Sequence, residues 1–258
     1  MLFTEDKSLI ALLEELNQLL NYNQKIRANH AHMELSMRKM LSNISHDLKT
    51  PLTVIVGYLE TISTETSLSP EIQAKVQKSY TKALELQALI QEFFSLSKLE
   101  SGDEQYPLSK INLNEICRQA ILQFYESLSE MDWQVEIQIP EEVVYSIANE
   151  TALNRILNNL ISNALKYGSA GKTLGLCLRA DDFFSYIDIW DKGKGIDVIH
   201  QEKVFERLYT LEDSRNRLYQ GSGLGLTISR RLANVMHGDI SVESKAFEKT
   251  TFTVKLKK

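Results

Sequence analysis

His46 stands in the run Ser45-His46-Asp47-Leu48-Lys49-Thr50-Pro51-Leu52-Thr53. It lies two residues from both Ile44 and Leu48, about 200° around a helix from each, and so away from the apolar stripe they mark. A histidine satisfied inside a core would sit on that stripe. A merely solvated histidine would need none of what surrounds this one. Asp47 is adjacent, Thr50 lies one turn along over His46, and Pro51 cannot donate to the Asp47 carbonyl, so a kink is expected there. An imidazole with a carboxylate at hand is an oriented nucleophile or base, with Asp47 holding the other ring N–H.

Three further clusters lie downstream. In Asn154-Arg155-Ile156-Leu157-Asn158-Asn159-Leu160-Ile161-Ser162-Asn163-Ala164-Leu165-Lys166-Tyr167, the side chains of Asn159, Asn163 and Lys166 share one helix face. Asparagines inside a helix reduce its propensity, so four of them ask for a reason beyond a polar face. An amide oxygen beside a lysine suits hydrated Mg²⁺ on phosphates, because Mg²⁺ keeps most of its waters. Asp191-Lys192-Gly193-Lys194-Gly195-Ile196 follows the strand-like Ser185–Trp190, and a carboxylate at a strand end beside glycines suits an adenine amino group. Gly221-Ser222-Gly223-Leu224-Gly225-Leu226 opens an apolar helical pattern, where backbone N–H groups and the positive dipole end face an anion. The polar, weakly periodic stretch 206–220 between these glycine runs reads as a mobile lid.

The elements that must position these residues fall into two textures. Through about residue 100, apolar residues recur every three or four positions: Leu9, Leu13, Leu16, Leu20, then Leu41, Ile44, Leu48, Leu52, Ile55, Leu59 and Ile62. That is a long helix seeking helical partners. The polar run 63–69 breaks it, and Ser69-Pro70 opens a second helix through Ile72, Val76, Ala83, Leu86, Ile90 and Phe93. Such a hairpin is too thin for a core of its own, so a homodimer forming a four-helix bundle is expected. After the linker 102–107 the texture is mixed. A helix capped by Asn112 and Glu115 runs to Met131, a strand alternates through Trp133, Val135, Ile137 and Ile139, and a helix capped by Asn149 ends at Tyr167-Gly168. Strands at 173–179 and 183–190, a helix at 223–236 and a closing hairpin at 239–256 complete an α+β layer with helices on one sheet face.

The 258 residues are 43% hydrophobic and 24% charged, ordinary for a globular chain. A net charge of −5 argues against nucleic acid as partner. No apolar run approaches the ~18 residues of a spanning helix, so no membrane contact is expected from this chain. Cys117 and Cys177 fit neither a metal site nor a disulfide framework, which points to a reducing cytoplasmic compartment.

Taken in order, these clusters resemble the catalytic region of bacterial sensor histidine kinases over residues 36 to 258. Residues 45–53 look like that family's phosphoacceptor box, 154–167 its N box, 191–196 its first glycine box, Val204-Phe205 its phenylalanine box and 221–226 its second glycine box. The resemblance implies a signal-transmitting helix at 1–35, a dimerisation and phosphoacceptor domain at 36–103, and an ATP-binding domain of the Bergerat type at 104–258. It implies autophosphorylation of His46 from Mg-ATP and transfer to an aspartate on the receiver domain of a response regulator. By matching positions, Asn159 and Asn163 serve the phosphates and Mg²⁺, with Asn163 the metal ligand. Lys166 and Tyr167 contact phosphate and nucleotide, Asp191 takes the adenine, and Gly193, Gly195, Phe205, Gly221, Ser222, Gly223, Leu224 and Gly225 complete the cofactor site. Asp47-x-x-Thr50 is similar to the signature of members that also dephosphorylate their regulator, with Thr50 orienting the attacking water.

Two departures accompany the resemblance. Thr210 stands where the family usually has a basic residue for the γ-phosphate, leaving Arg207, Arg215 or Arg217 to substitute. No sensory or transmembrane segment is present, so the chain reads as the cytoplasmic part of a longer, membrane-anchored sensor. The rival readings are an ATP hydrolase of the same nucleotide-fold superfamily and a non-enzymatic dimeric scaffold. The hydrolases place a glutamate four residues before the metal-binding asparagine, where this chain has Asn159; the intact Asn163, Asp191 and glycine loop argue against a scaffold.

Overall fold

In a computed structural model, the structure describes residues 7–64, 69–102, 104–211 and 222–258, and for residues 7–11 and 27–47 the backbone alone. The chain divides into two compact units, Met1–Ile90 and Gln91–Lys258.

The first unit is helical. Helix α1, Lys7–Ser63, runs as one element through Pro51, whose missing N–H removes one ladder bond without ending the helix. At 1.5 Å per residue it is roughly 85 Å long. Helix α2, Pro70–Ser101, starts with proline in its first turn and with Gln73 N–H donating to the Ser69 carbonyl at 2.9 Å, as expected for that pair. Leu52 and Ala83 are buried, while Val54, Ile55, Tyr58, Ile72 and Leu86 stay exposed. No helix among the described residues is long and apolar enough to cross a membrane.

The second unit contains the last turns of α2, where Phe94, Leu96 and Leu99 are buried, and a mixed α/β layer. Its strands are β1 (Ser109–Asn112), β2 (Gln134–Gln138), β3 (Tyr145–Ala148), β4 (Thr173–Ala180), β5 (Phe184–Asp191), β6 (Asp239–Lys245) and β7 (Lys249–Lys257). Five form a sheet in the order β2-β4-β5-β7-β6, and β1 pairs with β3 in a separate ribbon. β2 runs parallel to β4, with Val135 opposite Leu174; the other pairs are antiparallel. Its helices are α3 (Leu113–Leu122), α4 (Tyr125–Glu130), α5 (Glu150–Tyr167), α6 (Val198–Gln201) and α7 (Gly225–Val235), with one 3-10 turn at Lys203–Phe205. Leu153, Ile156, Leu157, Leu160 and Ile161 of α5 are fully buried, as are Leu174, Leu176 and Ile187 of the sheet. Their burial is the main source of the unit's stability, at about 25 cal/mol per Å² of apolar surface.

The expected helix from Asn112 to Met131 is in fact two helices. Asn112 caps α3 through its side-chain oxygen, which accepts from Glu115 N–H at 3.3 Å. Glu115 does not close the reciprocal half of a capping box; its carboxylate accepts from Gln119 instead, at 3.0 Å. The break follows at Phe124, whose ψ of 4° leaves the helical range and whose N–H turns to the Ile121 carbonyl. The β1–β3 ribbon is a second feature absent from the sequence reading. Cys117 is buried and Cys177 half-buried, both free thiols, and burial pushes the Cys117 thiol up to about 12.

Candidate functional site

Helix α5 is set by its caps. The Asn149 side chain accepts from Ala152 N–H at 2.9 Å and donates to the Pro107 carbonyl at 3.0 Å. Gly168 ends the helix, its N–H donating to the Ala164 carbonyl at 2.7 Å. With one face of α5 committed to the core, Asn158, Asn159, Asn163, Lys166 and Tyr167 fall on the half-buried flank. The Lys166 ammonium lies 5.0 Å from the Tyr167 ring centroid. A buried oxygen of the Asn158 amide has no hydrogen-bond partner among the described residues.

Asp191, at the end of β5, is 6% exposed. A Cβ added to Gly168 would stand 2.7 Å from that of Asp191, and one on Gly193 would stand 2.7 Å from the Gly168 Cα. The missing side chains are what let the end of β5 and the turn after it lie against the end of α5. Gly193 N–H donates to Asp191 Oδ1 at 2.8 Å, while Oδ2 has no partner among the described residues. The loop is held from behind by Phe247 N–H on the Gly193 carbonyl at 3.1 Å and by Ile196 N–H on Ser244 Oγ at 2.8 Å. Gly195, at φ +80°, backs onto Ala246.

Burial raises the Asp191 carboxyl from 3.8 to about 6, with the Gly193 hydrogen bond pulling the other way. An acid whose folded value is raised favours the folded state below its unfolded value, and that contribution is lost as pH climbs through about 6. Asp191→Asn keeps the acceptor for Gly193 and carries no charge. In nucleotide-free melts at pH 7 it is expected to be more stable than wild type by roughly 1–3 kcal/mol, the scale of a two-unit shift, with the difference vanishing near pH 4. An equal difference at both pH values would contradict the buried charge as its cause.

The second glycine loop approaches from α7. Gly223 is at φ +68° with its Cα against Leu208; Leu208 N–H donates to the Gly223 carbonyl at 3.0 Å. Ser222 Oγ accepts from Leu224 N–H at 3.1 Å, and Leu224 is buried. Gly225, first residue of α7, leaves the space in which the Asn159 amide lies. Phe205 is a core residue, edge-to-face with Phe252 at 6.4 Å and under the Arg230 guanidinium at 4.7 Å. Its carbonyl accepts from Thr227 Oγ1 at 2.9 Å, so Phe205 fixes the start of α7.

The structure therefore sets Asp191 and Gly193 against Gly168 at the end of α5 and Gly225 against Asn159, about two turns earlier on the same helix, while Gly223 lies on Leu208. Thr50 is exposed on α1. Gly221, Arg215, Arg217 and most of the expected lid lie outside the described residues, as do the side chains of His46 and Asp47. Arg207 is engaged by Glu100, with Nη2 donating to Oε1 at 2.5 Å. Ser229 of α7 went unnoticed in the sequence. It is buried and accepts from Asn159 Nδ2 at 2.9 Å, and its only signal there is its place one helical turn beyond Gly225.

Two family profiles match the chain. Residues 36–102 match the His Kinase A (phospho-acceptor) domain, and residues 148–258 match the histidine kinase-, DNA gyrase B-, and HSP90-like ATPase. Sensor histidine kinase YcbM of Bacillus subtilis (strain 168) is 49% identical over 256 residues, covering 99% of this chain and 82% of that relative. Sensor histidine kinase WalK of the same organism is 29% identical over 230 residues, covering 87% of this chain but only 37% of WalK. Among solved structures, full-length ShkA in complex with AMPPNP superposes with a TM-score of 0.71 at 23% identity, over 84% of this chain and 45% of that one, which supports the fold. With both profiles matched in order along the chain and near-complete alignment to such a relative, the chain belongs to the sensor histidine kinases.

Proposed function

We propose that this chain phosphorylates itself on His46 from Mg-ATP, passes the phosphoryl group to an aspartate on a response regulator, and also dephosphorylates that regulator. The observation that carries the nucleotide half is that Asp191 and the glycine-lined start of α7 both lie against α5, the helix that bears Asn163. The residues fit a nucleotide. Asp191 offers one oxygen, oriented by its bond to Gly193, to an amino group that donates, and Gly223 and Gly225 stand where a Cβ would collide with the chain. The first backbone N–H groups of α7 then face phosphate. The Asn163 amide, half-buried and without a partner among the described residues, fits the role of one hard oxygen ligand. Mg²⁺, when bound, supplies charge neutralisation on the phosphate oxygens.

In the transfer, an imidazole nitrogen of His46 attacks the γ-phosphorus, the bond to the bridging oxygen breaks and ADP leaves. Asp47 holds the other ring N–H and stabilises the cation formed, which then loses its proton to solvent. Asn159 occupies the place where the hydrolases of this superfamily carry their glutamate. An amide is a poor base, and this one is committed to Ser229, which favours transfer to protein over hydrolysis.

We assign 1–35 to signal transmission, 36–103 to dimerisation and the phosphoacceptor, and 104–258 to nucleotide binding. Helix α1 is continuous across residue 35, as a transmitting rod must be. The exposed Val54, Ile55, Tyr58, Ile72 and Leu86 are the surface a second copy would cover.

The test of the transfer and phosphatase halves is one time course. Labelled kinase mixed with a purified receiver domain should lose its label to the receiver, as an acyl-phosphate. If Thr50 holds the attacking water in line, Thr50→Ala should label normally yet slow the later decay of phospho-receiver by roughly tenfold or more. Equal decay for variant and wild type would leave Thr50 without a part in dephosphorylation.

A further inference from the structure

We infer that Ser229 is a positioning residue that holds the Asn159 amide against the start of α7, in the orientation in which it serves the nucleotide phosphates; this rests on the nucleotide reading above. Ser229 lies one turn into α7, is 1% exposed, and accepts from Asn159 Nδ2 at 2.9 Å. An amide has two chemically opposite ends of nearly the same shape, so an asparagine beside phosphates and a cation serves only if something fixes its orientation. Ser229 Oγ makes no bond to the carbonyl one turn back among the described residues, so its hydroxyl is given to the Asn159 amide alone. It then pairs with the Nδ2 end and holds Oδ1 towards Gly225, where a Cβ would overlap that oxygen.

Two residues of α7 thus act on one amide. Gly225 makes the space, and Ser229 holds the amide in it. The Oδ1 end is the one that suits a cation and its bound waters; the Nδ2 end would instead face phosphate oxygens. Removing the Ser229 oxygen leaves both orientations open and leaves a buried N–H unpaired. Phosphate contacts made by other residues would be untouched, so the loss should fall on Mg²⁺-dependent affinity.

The test titrates AMPPNP into the full chain, with Mg²⁺ and with chelator, for wild type, Ser229→Ala, Ser229→Thr, Asn159→Ala and the Asn159→Ala/Ser229→Ala double variant. Thermal melts of each report folding. The expected result is affinity in Mg²⁺ roughly fivefold weaker for Ser229→Ala, the scale of one lost hydrogen bond, with little change in chelator. Ser229→Thr, which keeps the hydroxyl, should recover the affinity, and the double variant should bind no worse than Asn159→Ala. Wild-type affinity for a folded Ser229→Ala, an equal loss in chelator, or a double variant weaker by the product of the two single losses would overturn the positioning role. If Asn159→Ala itself binds as wild type, the phosphate-site reading of Asn159 fails, and the role of Ser229 with it.

Discussion

His46→Gln should take up label from γ-labelled ATP at below about 1% of the wild-type level, while its affinity for the nucleotide stays within about twofold. The first effect follows because glutamine offers no nitrogen lone pair able to attack phosphorus. The second follows from where the residues lie. His46 is on α1, in the unit Met1–Ile90, whereas Asn163, Asp191 and the glycine loops all belong to Gln91–Lys258. A change at the acceptor leaves every nucleotide-facing group in place. Labelling and equilibrium binding, measured on one preparation, check both halves. Label retained near wild-type level would move the acceptor elsewhere; binding lost together with labelling would point to a folding defect.

Asn163→Ala should weaken nucleotide binding in Mg²⁺ at least roughly tenfold and leave binding in chelator within about twofold of wild type. Mg²⁺ takes few protein ligands, so an amide oxygen that holds it is a large share of the protein's grip. Loss of the side chain opens no core cavity, because Asn163 lies on the half-buried flank of α5. The buried stripe of Ile156, Leu160 and Ala164 is untouched. Titration of a fluorescent ATP analogue with and without Mg²⁺ reads the difference. An unchanged Mg²⁺ dependence would remove Asn163 from the metal.

What could be read in the sequence was whatever local chemistry decides. The caps of α3 and α5 follow from Asn112 and Asn149, whose side chains make the expected bonds to Glu115 and Ala152 N–H. The hairpin of β6 and β7 follows from its alternation: Ile240, Phe252, Val254 and Leu256 are all buried. Tertiary pairings were hidden. The β1–β3 ribbon is four residues against four, with Tyr145 and Ile147 facing outward, so neither strand shows a buried face of any length. The break at Phe124 falls in a run without a glycine or proline to mark it. Phe205 was read as part of the cofactor site; that its ring packs on Phe252 and under the Arg230 guanidinium is something its place in a motif does not tell, because a motif does not say which way a side chain points. Ser229 was hidden for the same reason: a serine in a helix announces its partner only once α5 is laid against α7.

The central claim is phosphoryl transfer from ATP to a histidine of this chain, and the most direct measurement is the chemical stability of the label. The full chain is incubated with γ-labelled ATP and Mg²⁺, then divided between acid and base. A phosphoramidate on His46 loses its label in acid and keeps it in base. Label that survives acid would place phosphate on a hydroxyl. Steady release of inorganic phosphate with no protein-bound label would make the chain an ATP hydrolase, contradicting the account.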